Sequence, residues 1–328
     1  MIVITGAAGF IGSHLCRKLN FHGIKNIILV DDFTQEKKRN NWENLEYADK
    51  IQREVFFHWA EKNVQHIDFI FHLGARTDYF STDHDIFEAL NVDFSQRIWS
   101  FASFNRIPLI YASSYLTNTI SHTSNLPPQT SNLKPQTSYL IPPTSYLPPP
   151  PTSLYAKSKY TFDKWIEKQQ QTPPFWAGLK FFQVYGKNEA HKKAENASIV
   201  HKVYQKYAEN ATLIYAEKNL IQDYIYVNDI VKVLYYFMSR APQSGIYEVG
   251  TGFARPLQAV VDAINKAVKP EQKLILAYPK EEPLVFQADL TLLRKYAYKQ
   301  AFWALERGVG CLNHDFNKIS EISRIIVS

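Results

Sequence analysis

Largely apolar runs at Ile2–Thr5, Asn26–Asp31, Phe69–Leu73, Pro108–Ala112 and Leu179–Val184 predict buried strands, because a strand covered on both faces needs no polar alternation. Between them, Ile11–Asn20, Asp85–Asn105 and Ala156–Gln171 carry apolar residues at helical spacing, so each predicts an amphipathic helix with one buried face. Strands alternating with helices predict an α/β fold, a doubly wound parallel sheet of the Rossmann type. Strand Asp223–Val227 and helix Ile230–Met238 are read as a late return to that sheet. The expected division is a nucleotide-binding domain over 1–186, to which 216–249 return, and a smaller α/β substrate-binding lobe from 187–215 and 250–328. Substrate is expected in the crevice between them.

One segment, 121–154, follows neither spacing. It repeats a unit of about seven residues, from Thr-Ser-Asn-Leu-Pro-Pro-Gln to Thr-Ser-Tyr-Leu-Pro-Pro-Pro-Pro, and holds nine of the 17 prolines. A coiled coil is excluded, since each unit has prolines that remove helical donors. An extended loop is predicted. Pro148 and Pro151 fit a ligand for a proline-recognition module, but a tandem expansion tolerated at a surface loop is the favoured reading.

The chain of 328 residues is 45% hydrophobic and 21% charged, which excludes a disordered or fibrous protein. Its most apolar stretch, Ile225–Met238, is broken by Asn228, Asp229 and Lys232, so no membrane association is expected. Met1 runs straight into Ile2-Val3-Ile4 without the pattern of a cleavable leader, and a cytoplasmic location is expected. Cys16 and Cys311 make neither a disulfide framework nor a metal ligand set. The net charge of +6 is scattered, with short clusters at Lys37-Lys38-Arg39 and His191-Lys192-Lys193, and no nucleic-acid partner is expected.

Gly6-Ala7-Ala8-Gly9-Phe10-Ile11-Gly12 follows a strand and opens a helix. That context suits a turn whose backbone approaches a pyrophosphate at a helix N-terminus. The next strand ends at Asp31-Asp32, where a carboxylate can accept from a ribose hydroxyl. A nicotinamide dinucleotide is therefore the expected cofactor. Asp31 disfavours a 2′-phosphate, whereas Lys38 and Arg53 could neutralise one, which leaves NADP and NAD both open.

Tyr155/Lys159 and Tyr160/Lys164 each place a phenol and an ammonium on one helix face. Two charges about 4 Å apart interact by roughly 4 kcal/mol at an effective dielectric of 20, enough to bring a phenol from about 10 toward 7. With 20 Tyr and 26 Lys, chance predicts one or two such pairs, so context decides. Tyr155 opens its helix and can face a cleft, while Tyr160 lies inside. The strand Leu109–Ala112 ends in Ser113-Ser114, at the sheet edge where such folds bind ligands. A serine hydroxyl there could bond a reacting alcohol.

Together these residues resemble the extended short-chain dehydrogenase/reductase superfamily, which acts on nucleotide sugars. Leu179–Gly186 with Glu189 and His191-Lys192, then Asp223–Asp229, Val249–Arg255 and Gln287–Arg294, are similar to segments of its ADP-heptose 6-epimerase family. The resemblance covers the chain apart from the repeats. It implies inversion at C6″ of an ADP-linked heptose by transient oxidation and reduction, with NADP as the implied cofactor and NAD the alternative, in a homo-oligomer serving lipopolysaccharide core synthesis. It implies Ser114 as the alcohol-binding serine, Tyr155 as base, Lys159 as its support, and Lys192, or Lys193 in a shifted alignment, as second acid/base. Cofactor contacts would be Gly6, Gly9, Phe10, Ile11 and Gly12, then Asp31, Asp32, Lys38 and Arg53, then Leu73, Gly74, Ala75, Asn91 and Val184, beside Tyr155 and Lys159. Substrate contacts would be Gln183, His201, Gln222 and Arg255; no metal is implied. Gln183 replaces an asparagine of the pattern, Gln222 an arginine on the diphosphate, and Glu282 a tyrosine. Arg255 is the expected compensation for Gln222. Another nucleotide-sugar epimerase or dehydratase, or a dinucleotide-binding protein with decayed catalysis, are the alternatives.

Overall fold

The structure, a computed structural model, describes residues 1–118, 153–209, 211, 213–216, 219–268, 273–277 and 282–312. The repeats lie outside the described residues up to position 152. Seven strands form one wholly parallel sheet. They are β1 (Ile2–Thr5), β2 (Ile27–Asp31), β3 (Asp49–Gln52), β4 (Phe69–His72), β5 (Leu109–Ser114), β6 (Trp176–Phe181) and β10 (Gly245–Val249), in the order β10-β6-β5-β4-β1-β2-β3.

Alternate residues of these strands face opposite ways and build two cores. Val3, Ile28, Val30, Ile70 and Leu109 pack with Phe56, Trp99 and Phe162, which come from α2 (Phe56–Asn63), α3 (Phe94–Phe104) and α4 (Leu154–Ile166). Ile4, Leu29, Phe71 and Ile110 pack with Leu15, Leu19, Leu234 and Phe237, from α1 (Phe10–Phe21) and the long helix Val227–Arg240. The strand order reverses between β1 and β4. Ligands of such sheets sit outside the carboxyl ends there.

The remaining strands are β7 (Gln183–Tyr185), β8 (Leu213–Tyr215), β9 (Leu220–Tyr226), β11 (Ala254–Pro256), β12 (Ile275–Ala277) and β13 (Leu284–Phe286). β11, β9 and β13 form a second sheet, with β7 also paired to β9, and β12 pairs β8. A further core joins α5 (Ile199–Ala208) to α7 (Leu257–Val268) through Val200, Val203, Val260 and Ile264; Val227–Arg240 is α6.

Three expectations are corrected. The strand around Asp223–Val227 belongs to the second sheet; α6 returns to the large sheet and β10 completes it. The single run Leu179–Val184 is cut at Phe182, whose amide donates to Val249 O at 3.1 Å, so the chain leaves one sheet at Phe181 and joins the other at Gln183. The helix expected over Asp85–Asn105 is interrupted by a π-helical segment, Glu88–Asp93. Cys16 is buried, Cys311 is exposed, and both are free. No helix among the described residues is long and apolar enough to cross a membrane.

Candidate active site

A cavity of about 380 Å³ opens over the carboxyl ends of β1, β4 and β5 and runs to the second sheet. The glycine turn floors it because no other residue fits. A Cβ on Gly12 would lie 2.2 Å from Gly6 O, and one on Gly6 would lie 2.6 Å from the Gly74 backbone, where φ is also +71°. Gly9 caps α1 without a side-chain hydrogen bond, which leaves the helix N-terminus open to an anion. This cradle fits a dinucleotide pyrophosphate. Gly6, Gly9, Phe10, Ile11, Gly12, and on the facing strands Leu73, Gly74, Ala75 and Val184, all line the cavity.

Asp31 lines its far end. Its Oδ2 accepts from Ala8 N at 2.9 Å and its Oδ1 from Lys38 Nζ at 2.8 Å, so it fastens the turn while Lys38 offsets its charge. Arg53 also lines the cavity and pairs with Glu54 at 2.5 Å. Asp32 does not line it. Hydrogen bonds from Gln35 and Thr34 hold its carboxyl down at about 2, and it braces the loop after β2. Asn91 is likewise internal. Its Oδ1 accepts from Arg76 N at 2.7 Å and its Nδ2 donates to Arg76 O at 3.0 Å and Ser158 Oγ at 2.9 Å. It ties the loop after β4 to the helix carrying Tyr155 instead of lining the cavity.

Ser114 ends β5 and Tyr155 starts α4, whose N-cap Ser153 accepts from Ala156 N at 3.2 Å. Both line the cavity. Burial pushes the Tyr155 phenol up to about 12, against the pull of the neighbouring Ser114 hydroxyl. Lys159, expected to acidify it, is held by the backbone of β5 in this structure. Its Nζ donates to Ala112 O at 2.8 Å, and burial pulls the ammonium down to about 8 against the attraction of Asp163. Asp163, one turn further on and missed in the sequence, accepts from Tyr111 OH at 3.1 Å and Ser113 Oγ at 2.7 Å. Tyr160 lies off the cavity.

Tyr79 and Tyr115, also missed, line the cavity beside Tyr155. The Tyr79 ring meets Tyr155 edge-on at 5.1 Å, and Tyr115 stacks on Phe182 at 5.0 Å. Gln183 lines the cavity and donates to Tyr115 OH at 2.8 Å. Tyr115 directly follows Ser114, a position that could have signalled it.

Lys192 and Lys193 line the same cavity in different settings. Lys192 donates to the buried Glu189 at 2.8 Å and lies 4.3 Å from the Phe10 ring centroid. Lys193 is exposed and reaches Asp78 at 3.4 Å. Burial raises the Asp78 carboxyl, but hydrogen bonds from Asn196 and Lys193 outweigh it and hold it low. Glu189 also accepts from Ser198 N at 2.8 Å and Ser198 Oγ at 2.7 Å, which folds the lysine loop onto the site.

Among the expected substrate contacts, Gln222 lines the cavity, while His201 and Arg255 do not. Arg255 pairs with Glu306 at 3.1 Å, so it does not supply the charge missing at Gln222. Glu282 is exposed. Among the described residues no group of three or more His, Cys, Asp or Glu is gathered as metal ligands are.

The profile of the NAD dependent epimerase/dehydratase family matches residues 2–250. ADP-L-glycero-D-manno-heptose-6-epimerase of Fusobacterium nucleatum is 31% identical, over 94% of this chain and 96% of that protein. The protein of the same name from Brachyspira hyodysenteriae is 29% identical, over 94% and 95%. Among solved structures, the Helicobacter pylori ADP-L-glycero-D-manno-heptose-6-epimerase superposes with a TM-score of 0.71 at 21% identity, covering 98% of this chain and 96% of that one. UDP-glucuronic acid 4-epimerase from Bacillus cereus in complex with NAD gives 0.73 at 18% identity, covering 97% and 99%. These two likenesses support the fold.

Proposed function

The chain belongs to the NAD dependent epimerase/dehydratase family, and from that premise we propose that it converts ADP-D-glycero-D-manno-heptose to ADP-L-glycero-D-manno-heptose with bound NADP. The coarser reading, a nucleotide-sugar epimerase, follows from curated relatives that align over nearly the whole chain. The carrying observation is that Ser114 and Tyr155 line one cavity, the one that the glycine turn floors.

Bound along the turn, the nicotinamide cofactor supplies a hydride acceptor and then the same hydride as donor. Ser114 orients the C6″ hydroxyl, and Tyr155 exchanges its proton. Burial disfavours the phenolate, so the base role of Tyr155 draws on the Lys159 ammonium one turn along the same helix face. Inversion needs a proton-transfer group on the opposite face of the transient aldehyde. Lys192, oriented by Glu189, takes that role, with Lys193 as the alternative. NADP is favoured over NAD because Lys37, Lys38 and Arg53 line the same cavity as Asp31 and Lys38 offsets its charge. The enzyme works in lipopolysaccharide core synthesis as a homo-oligomer.

The test is NMR of each ADP-heptose diastereomer incubated with enzyme and NADP. Inversion at C6″ without net cofactor reduction is expected. An unchanged heptose beside turnover of another nucleotide sugar would reassign the substrate.

A further inference from the structure

Asp163 is 3% exposed and does not line the cavity. A carboxylate in such a place is costly unless it is both hydrogen-bonded and paired with a cation. Tyr111 OH and Ser113 Oγ donate to its two oxygens. Lys159, 2% exposed, precedes it by four residues on the same face of α4, and donates to the carbonyl of Ala112. Between them the two side chains clasp three consecutive residues of β5, Tyr111, Ala112 and Ser113, directly before Ser114. A carbonyl oxygen brings no full charge to balance a buried ammonium; Asp163 does, and its attraction favours the charged form of Lys159. Burial pushes the Asp163 carboxyl up, against Ser113, Lys180 of β6, Tyr111 and Lys159. The other titratable groups facing the pair are His72 of β4, on which the Lys159 charge acts, and Tyr155, whose phenolate Asp163 disfavours. Glu167, further along the chain, acts on Tyr111.

We propose that Asp163 is the counterion of the Lys159 ammonium and, through its bond to Ser113, the post that sets the end of β5 carrying Ser114. It is a positioning residue, one layer behind the reacting hydroxyls and outside the cavity that holds cofactor and substrate. This rests on the roles given above to Tyr155 and Lys159, and adds what keeps Lys159 charged while Tyr155 exchanges its proton.

The experiment is a carbon NMR titration of the full chain, isotope-labelled at lysine Cε and aspartate Cγ, with Lys159→Arg and Asp163→Asn assigning the two signals. In wild type the Lys159 carbon should titrate at about 8, and the Asp163 carbon should register a step at the same pH. Asp163→Asn should move the Lys159 step down by roughly one pH unit, the order of one opposite charge a helical turn away at an effective dielectric of about 20. Asp163→Glu should restore part of it. With ADP-heptose as substrate, the alkaline fall of kcat should move by the same amount as the Lys159 step. Ser113→Ala, which keeps the carboxylate, should leave the Lys159 step in place and lower kcat evenly across pH. An Asp163 carbon silent at the Lys159 step overturns the pairing in wild type itself, where no variant has to fold. It is also overturned if Asp163→Asn leaves the Lys159 step in place, or if Ser113→Ala displaces that step equally. Coupled steps in a chain that inverts neither heptose would uphold the ion pair and refute the epimerase reading alone.

Discussion

The two ends of the cavity are built on different principles. At the glycine turn the shape is fixed by backbone on backbone: Gly12 against Gly6 O and Gly6 against Gly74, with Asp31 and Asn91 saturated by internal hydrogen bonds. On β9 the fit is left open, since Gln222 Nε2 and Tyr224 OH are buried and unpaired. The first end is complete on folding and suits a group that stays through turnover. The second is complete only around a ligand, as suits one that exchanges.

The contrast breaks if the turn proves tolerant. Gly12→Val is expected to abolish dinucleotide binding and to cost about 3 kcal/mol, read by fluorescence titration and denaturant unfolding; a variant that still binds would remove the steric account. Next in size is Tyr155→Phe, which should lower kcat by about a hundredfold to ten-thousandfold with dinucleotide affinity intact. Lys159 sharpens the picture through pH. Its ammonium sits at about 8 instead of 10.5, so kcat should fall above about pH 8. Because the folded value is depressed, its contribution to stability should rise over the same window, by about 1.4 kcal/mol per pH unit toward 10.5. A kcat flat to pH 10 would contradict this.

His72 tests the floor of the site in acid. It lies between Thr5 Oγ1 at 2.7 Å and Ser95 Oγ at 2.8 Å, and burial pulls it down to about 3 from 6.5. It folds neutral, so stability should be lost as pH falls below 6.5, at about 1.4 kcal/mol per unit from this group. Urea midpoints at pH 7, 5.5 and 4.5 read that slope, and His72→Gln should flatten it. Smallest is Arg255→Ala. A half-exposed pair outside the cavity should matter by less than about 0.5 kcal/mol, with nucleotide affinity within twofold. A tenfold loss would return Arg255 to the substrate end.

The glycine turn was legible because its requirement is local: three glycines between a strand and a helix admit few conformations. The Ser114/Tyr155 pair was legible for the same reason, each being placed by the end of its own element. The environment of Tyr155 was not. Spacing puts Lys159 on its face of α4, but only the tertiary structure shows Lys159 Nζ on Ala112 O and a phenol raised by burial instead of acidified. Asp163 had a signal, an acid four residues beyond Lys159 on the same face. The break at Phe182 had none, because a chain that changes sheets keeps the same apolar composition.

In sequence the repeats lie between Ser114 and Tyr155. Asn118, the last described residue before them, is fastened by Lys180 Nζ at 2.7 Å and by Glu248. Ser153, near their end and the first residue described again, is fixed as the cap of α4. Both ends of the tract are thus anchored to elements that carry Ser114 and Tyr155, so removing one heptapeptide is expected to leave turnover unchanged, read as kcat of the shortened chain beside the full one. On that footing the tract's length is free to drift under selection on catalysis.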